Sequence, residues 1–284
     1  MKFGLNFINF FVVSNLYVSI GVSCLTALSM HIHGLENPRL LLFVFFSTLF
    51  TYNLIRLVPR FPIISSKMLK QNKLIYDYQI YLWAIVFFSG FLSFFFLSNI
   101  YKPIFWPLLM SSILCLTYGL PLLKWKSSWI SMRQIPGLKI FLIALVWTTV
   151  TEGFPCLIAQ KEWSFFAPLE RFLFVLAITI PFDIRDLKFD IKHIKTIPYY
   201  IGVDYAKNLG IICLVISELI LAYRTFILGE INLSGCLAIY LSYEVAILLI
   251  YFSKEEMTEW YVSLGLDGVS ILMCILFLLF EFLH

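Results

Sequence analysis

"PFDIRDLKFD", Pro181 to Asp190, places three aspartates within eight residues, directly after the apolar run "RFLFVLAIT". Asp183, Asp186 and Asp190 are spaced i, i+3, i+7, so on a helix they share one face within about 60° of each other. Arg185, Lys188, Lys192 and Lys195 repeat that spacing on roughly the opposite face. No Lys or Arg stands three or four positions from any of the three carboxylates, whereas Asp183–Asp186 and Asp186–Asp190 are like-charge neighbours that weaken a helix. A cluster set against its own local electrostatics calls for a cation from elsewhere. A hard divalent ion fits the pattern, since Mg²⁺ takes carboxylate oxygens and completes its shell with water and substrate phosphates.

The surrounding chain explains where such a helix end sits. The 284 residues are 61% hydrophobic and only 13% charged, with 29 phenylalanines. Soluble domains carry about a quarter charged residues, so this composition indicates an all-α, polytopic membrane protein forming a single domain over 1–284. Nine apolar segments of spanning length run over 7–30, 39–58, 77–98, 104–123, 137–158, 166–183, 206–223, 232–252 and 260–282. The first is too long for a signal-peptide core and is read as a membrane helix. The six cysteines lie one per apolar segment, with neither metal-ligand spacing nor a disulfide framework.

Lysine and arginine set the expected orientation. Sixteen of the 21 fall on the N-terminal side and on the connections after segments 2, 4, 6 and 8, and five on the other side. The positive-inside rule then predicts an integral inner-membrane protein with a cytoplasmic N-terminus and the C-terminus opposite. The net charge of +4 reflects this topology and gives no sign of a nucleic-acid partner. Segments 2 and 6 both run inward, so "TYNLIRLVPR" (Thr51 to Arg60) and "PFDIRDLKFD" open to the same compartment.

Nine membrane helices with this Asp-rich stretch at the inner end of the sixth resemble the UbiA superfamily of intramembrane prenyltransferases. In "DIRDLKFDIKHIKTIPYYIG", Asp183, Asp186, Asp190, Lys195, Thr196 and Gly202 fit the family's second motif, Asp-x-x-Asp-x-x-x-Asp followed by a Lys-Thr loop and a Gly. "YGLPLLKWKSSW" (Tyr118 to Trp129) is similar to a Tyr…Pro-Leu-x-Leu-Lys stretch of chlorophyll-synthase-like members. The first motif departs. With Asn53 laid on the family's Asn, the expected aspartates fall on Leu54, Leu57 and Phe61.

The resemblance implies Mg²⁺-dependent transfer of an isoprenyl group from a polyprenyl diphosphate to a membrane-soluble aromatic or lipid acceptor. Asp183, Asp186 and Asp190 would then hold the metal and carry catalysis. Two versions follow from the missing half-site. Either Arg56 and Arg60 replace one metal beside Asn53, since a guanidinium fork suits phosphate oxygens, or the protein binds an isoprenoid lipid without turnover. Lys124 and Lys126 are further diphosphate candidates, with Arg133 near them. Tyr52, Tyr118 and Trp147 are candidates for a cavity wall. Asp267, roughly 12 Å into segment 9, is a candidate for its interior, whereas Glu218 and Glu244 are read as helix–helix hydrogen-bonding groups. A transporter is disfavoured, because paired interruptions at mid-membrane are missing from the pattern.

Overall fold

The computed structural model describes residues 10–57, 78–98, 100–125, 128–162, 164–190, 196–258 and 260–282. Among them are nine long helices: α1 Leu16–Ile32, α2 Pro38–Leu57, α3 Gln79–Leu97, α4 Tyr101–Gly119, α5 Leu138–Ile158, α6 Phe166–Asp190, α7 Val203–Phe226, α8 Leu233–Tyr251 and α9 Tyr261–Phe282. A short hairpin, β1 Leu123–Trp125 and β2 Ser128–Ile130, joins α4 to α5. Helix is the form expected of these segments, because in lipid each backbone group must find its partner within the segment. Six of the nine (α2, α3, α5, α7, α8 and α9) are long and apolar enough to cross a membrane, and α1 is a shorter apolar helix. The chain is therefore an integral membrane protein by architecture. Its outer faces carry exposed aromatics, as at Phe87, Phe91 and Phe94 on α3, which packs on α2.

The bundle is closed by neighbouring pairs. α1 packs on α2 and α9 and against the middle of α5, and α6 sits between α5 and α7, with α8 joining α7 to α9. The core between them is aliphatic and aromatic, with Leu25, Leu40, Ile140, Phe154, Phe174 and Leu214 essentially inaccessible. α5 and α9 are not regular throughout. Each contains a π-helical turn, Thr149–Gly153 in α5 and Tyr261–Leu266 at the start of α9. Such turns re-aim side chains and often accompany polar function. The first carries the buried Glu152, and the second ends at Asp267.

Among the boundaries that differ from the sequence reading, two bear on the site. α6 does not stop near 183 but continues through Pro181 to Asp190, so the aspartates lie on one continuous helix. α4 ends at Gly119, four residues early. There the chain turns extended at Leu120, the conformation favoured before Pro121. Gly119 is also where α4 approaches α2: a Cβ built on it would stand 2.6 Å from Ile55 Cγ1.

Candidate functional site

The end of α6 meets the start of α5. Gly137, in the left-handed conformation at φ 71°, opens α5 and sets Lys139 in its first turn. The Lys139 ammonium donates to Asp183 Oδ1 at 2.7 Å and reaches Asp186 Oδ2 at 3.4 Å. Arg185 turns back to its neighbour, with Nε at 2.9 Å and Nη2 at 2.7 Å from Asp186 Oδ1. The cation demanded by the carboxylate spacing is thus supplied, among the described residues, by the protein itself. Arg185, placed by its spacing on roughly the opposite face, is instead bonded to the acidic face. Asp183 is buried at 1% exposure, whereas Asp186 and Lys139 are partly open.

A cavity of about 230 Å³ lies between α2, α4 and α5. Its walls include Tyr52 and Arg56 from α2, Cys115 and Tyr118 from α4, and Leu142, Val146 and Trp147 from α5. Arg133, held on the short 3₁₀ turn Met132–Gln134 by the Ser131–Gln134 capping box, completes it. Trp147 Nε1 donates to the Tyr52 hydroxyl at 3.0 Å, fixing two of the aromatic walls against each other. The lining therefore combines two guanidinium side chains and three large aromatics with no carboxylate among the described residues. Lys139, Leu142 and Val146 follow i, i+3, i+7, so the ammonium continues the face of α5 that forms the wall.

The other sequence candidates are placed as follows. Asn53 is fully buried and does not line the cavity. Its carbonyl accepts from Asn15 Nδ2 at 3.1 Å, and its amide nitrogen donates to Ser14 O and Leu49 O at 2.8 Å each. It serves helix packing. Arg56 lines the cavity and donates to the Val13 carbonyl. Lys124 is exposed on β1. Arg60, Lys126 and the side chain of Asp190 lie outside the described residues. Asp267 is buried at the α1–α9 contact, where Gly21 brings the backbones together, away from the cavity lining. Glu244 accepts from Tyr240 within α8 at 2.6 Å.

Sequence reasoning passed over a second polar cluster, toward the far ends of α5 and α6. Glu152 receives a hydrogen bond from Ser29, pairs with His33 at 2.8 Å and stands 3.8 Å from Arg171. Glu170 pairs with Arg224 at 2.6 Å and accepts from Tyr243 at 2.7 Å, and Arg224 also holds Glu230 at 2.7 Å. Glu152 interrupts an apolar segment just as Asp267 does, and that signal points to it. Lys139 carried a weaker one, a lone cation one turn into an apolar helix.

No protein-family model and no curated protein matches the sequence. Solved structures do. A UbiA homologue from Archaeoglobus fulgidus bound to GPP and Mg²⁺ superposes with TM-score 0.63 at 15% identity, over 95% of this chain and 98% of the other. A UbiA homologue from Archaeoglobus fulgidus bound to DMAPP and Mg²⁺ gives 0.61 at 14%, over 96% and 99%. This chain has the UbiA fold.

Within that fold the fit to a divalent ion can be tested on the donors present. Mg²⁺ requires oxygens at about 2.0–2.1 Å in octahedral array. An ion touching both Asp183 and Asp186 would occupy the place of the Lys139 ammonium, and one oxygen of Asp186 is already taken by Arg185. On α2, Leu54 and Leu57 bring no ligand. Among the described residues no three His, Cys, Asp or Glu side chains gather around one point. As arranged, the carboxylate pair fits an ammonium, not a divalent metal.

Proposed function

We propose that this UbiA-fold protein binds a prenyl diphosphate at the α2–α4–α5 cavity and transfers its prenyl group to a membrane-soluble aromatic or lipid acceptor. The observation that carries the reading is the juxtaposition of an aromatic cavity bearing Arg56 and Arg133 with the Lys139–Asp183–Asp186 cluster at the adjoining helix ends. The structural neighbours bound to GPP and DMAPP support the ligand class. In this reading the diphosphate lies toward Arg56, Arg133 and Lys139, and the prenyl chain lies among Leu142, Val146 and the aromatic walls. Mg²⁺, present in those neighbours, has a poor seat among the carboxylates described here.

The reaction breaks the C1–O bond, and the electron pair leaves with the diphosphate. The allylic carbon then bonds to a carbon or oxygen of the acceptor, which releases a proton. Guanidinium and ammonium donors stabilise the charge growing on the leaving oxygen. The faces of Tyr52, Tyr118 and Trp147 stabilise the allylic cation and keep it from water. The compartment reached by the site is the cytoplasmic one in this reading, following the bias of Lys and Arg.

A second reading is favoured by Leu54 and Leu57, which replace acidic residues of the resembled motif: the protein holds a prenyl diphosphate lipid without turning it over. Radiolabelled geranyl diphosphate, incubated with the protein in nanodiscs and a membrane lipid extract, separates the two. Transfer predicts an organic-extractable prenylated product, lost in Asp186→Ala at unchanged expression. Binding with no product across chain lengths and acceptors establishes the second reading.

A further inference from the structure

We propose that the Lys139 ammonium does the work of a divalent cation at the Asp183–Asp186 pair, so that a prenyl diphosphate binds here without Mg²⁺. The inference rests on the ligand class proposed above and adds the identity of the cation. Three observations carry it. First, Nζ is seated between the two carboxylates, at 2.7 Å from Asp183 and 3.4 Å from Asp186, and fills the space between them. Secondly, an ammonium has three N–H donors. Two are spent on Asp183 and Asp186, and the third is available to a phosphate oxygen. Thirdly, the face of α5 that carries Lys139 runs on into the cavity wall at Leu142 and Val146, so a ligand in the cavity has its polar end at the lysine.

The charge balance agrees. Among the described side chains, Lys139 and Arg185 offset Asp183 and Asp186, and α2 adds Arg56 but, at Leu54 and Leu57, no carboxylate. A site that has lost acidic ligands needs less positive charge to accept the same anion. Divalent ions and the carboxylates that hold them can be lost together, with fixed cations left to face the diphosphate. Arg56 and Arg133 supply such cations on the cavity wall. A fixed ammonium also costs no metal dehydration, which Mg²⁺ undergoes reluctantly.

The test is geranyl diphosphate binding to the full-length protein in nanodiscs, measured in EDTA and again with excess Mg²⁺. Wild type is expected to show the same affinity in both within about twofold. Lys139→Met is expected to lose at least about tenfold in EDTA, the equivalent of one charge-assisted hydrogen bond. It should recover in Mg²⁺, because the freed carboxylates then accept the ion. Lys139→Arg should bind in EDTA like wild type. Wild type that binds only with Mg²⁺ overturns the inference and leaves the ligand class standing. Wild type that binds under neither condition overturns both. Mn²⁺ alone, followed by electron paramagnetic resonance, gives a readout independent of the ligand: Lys139→Met should gain a bound ion that wild type lacks, and a tightly bound Mn²⁺ in wild type that Asp183→Asn removes would sink the proposal.

Discussion

Two charged clusters lie at opposite ends of α5 and α6. Thirteen residues separate Lys139 from Glu152 on α5, and Glu170 from Asp183 on α6, about 20 Å along either helix. Both clusters are rich in ion pairs, yet they differ in construction. At the Glu152 and Glu170 end, side chains from α1, α5, α6, α7 and α8 interlock, and the Arg224 and Glu170 side chains are 4% and 5% exposed. At the Asp183 end one ammonium serves two carboxylates, Lys139 and Asp186 keep 20% and 24% exposure, and a cavity adjoins. Burial of charge alone therefore does not mark a site. What distinguishes the Asp183 end is charge that keeps donor capacity and access beside a space for a ligand.

The sharpest way to break this contrast is to remove one partner at the interlocked end. Glu170→Ala takes from Arg224 one of its two carboxylates and from Tyr243 its acceptor in a closed interior, where breaking a buried pair costs up to about 3–5 kcal/mol. A large fall in melting temperature in detergent is expected, with little folded protein recovered. Lys139→Met should cost less, because Asp186 retains Arg185 and is open to water, although the buried Asp183 loses its ammonium. Equal losses at the two ends would mean that both are structural clamps and that the distinction drawn between them is empty.

The same contrast explains what the sequence revealed. The nine apolar runs coincide with nine long helices among the described residues, six of them long and apolar enough to span a membrane, since lipid leaves an apolar segment few alternatives to helix. The i, i+3, i+7 aspartates were legible as one helical face needing a cation. The cation's identity was not, because Lys139 is 44 residues away and only the packing of α5 on α6 brings it in. Counted among the basic residues of the inner connections, it carried only a weak pattern. Asn53 shows the converse. An amide at the motif position suggested a ligand contact, yet its hydrogen bonds run to Asn15 and to backbone carbonyls. Arg224 and Glu170 are 54 positions apart, and no spacing rule links them.

A smaller effect sharpens the cavity side. Arg133 stands on a loop turn, outside both ion-pair networks, so Arg133→Gln should leave the melting temperature unchanged. Geranyl diphosphate affinity should fall about tenfold, the value of one charge-assisted contact to phosphate. Loss of stability without loss of affinity would remove Arg133 from the binding wall. Arg56→Gln is the less clean counterpart, because Arg56 also bonds the Val13 carbonyl and its removal affects packing.

The smallest expected effect lies between the two clusters. Trp147 is eight residues beyond Lys139 and five before Glu152, and its indole N–H ends on the Tyr52 hydroxyl at 3.0 Å. Tyr52→Phe keeps the ring and removes the acceptor, leaving the indole donor without this partner at a cost of about 1 kcal/mol. A slightly lower melting temperature is expected, with geranyl diphosphate affinity changed less than about twofold, because the aromatic faces are retained. An unchanged melting temperature with a large loss of affinity would instead make the Tyr52 hydroxyl a ligand contact, moving the polar end of the site a turn or more deeper than Lys139. The wall at Trp147 is the point where the rigid end of the bundle gives way to the end that accommodates a ligand, and this one hydroxyl reports on which side of that boundary it falls.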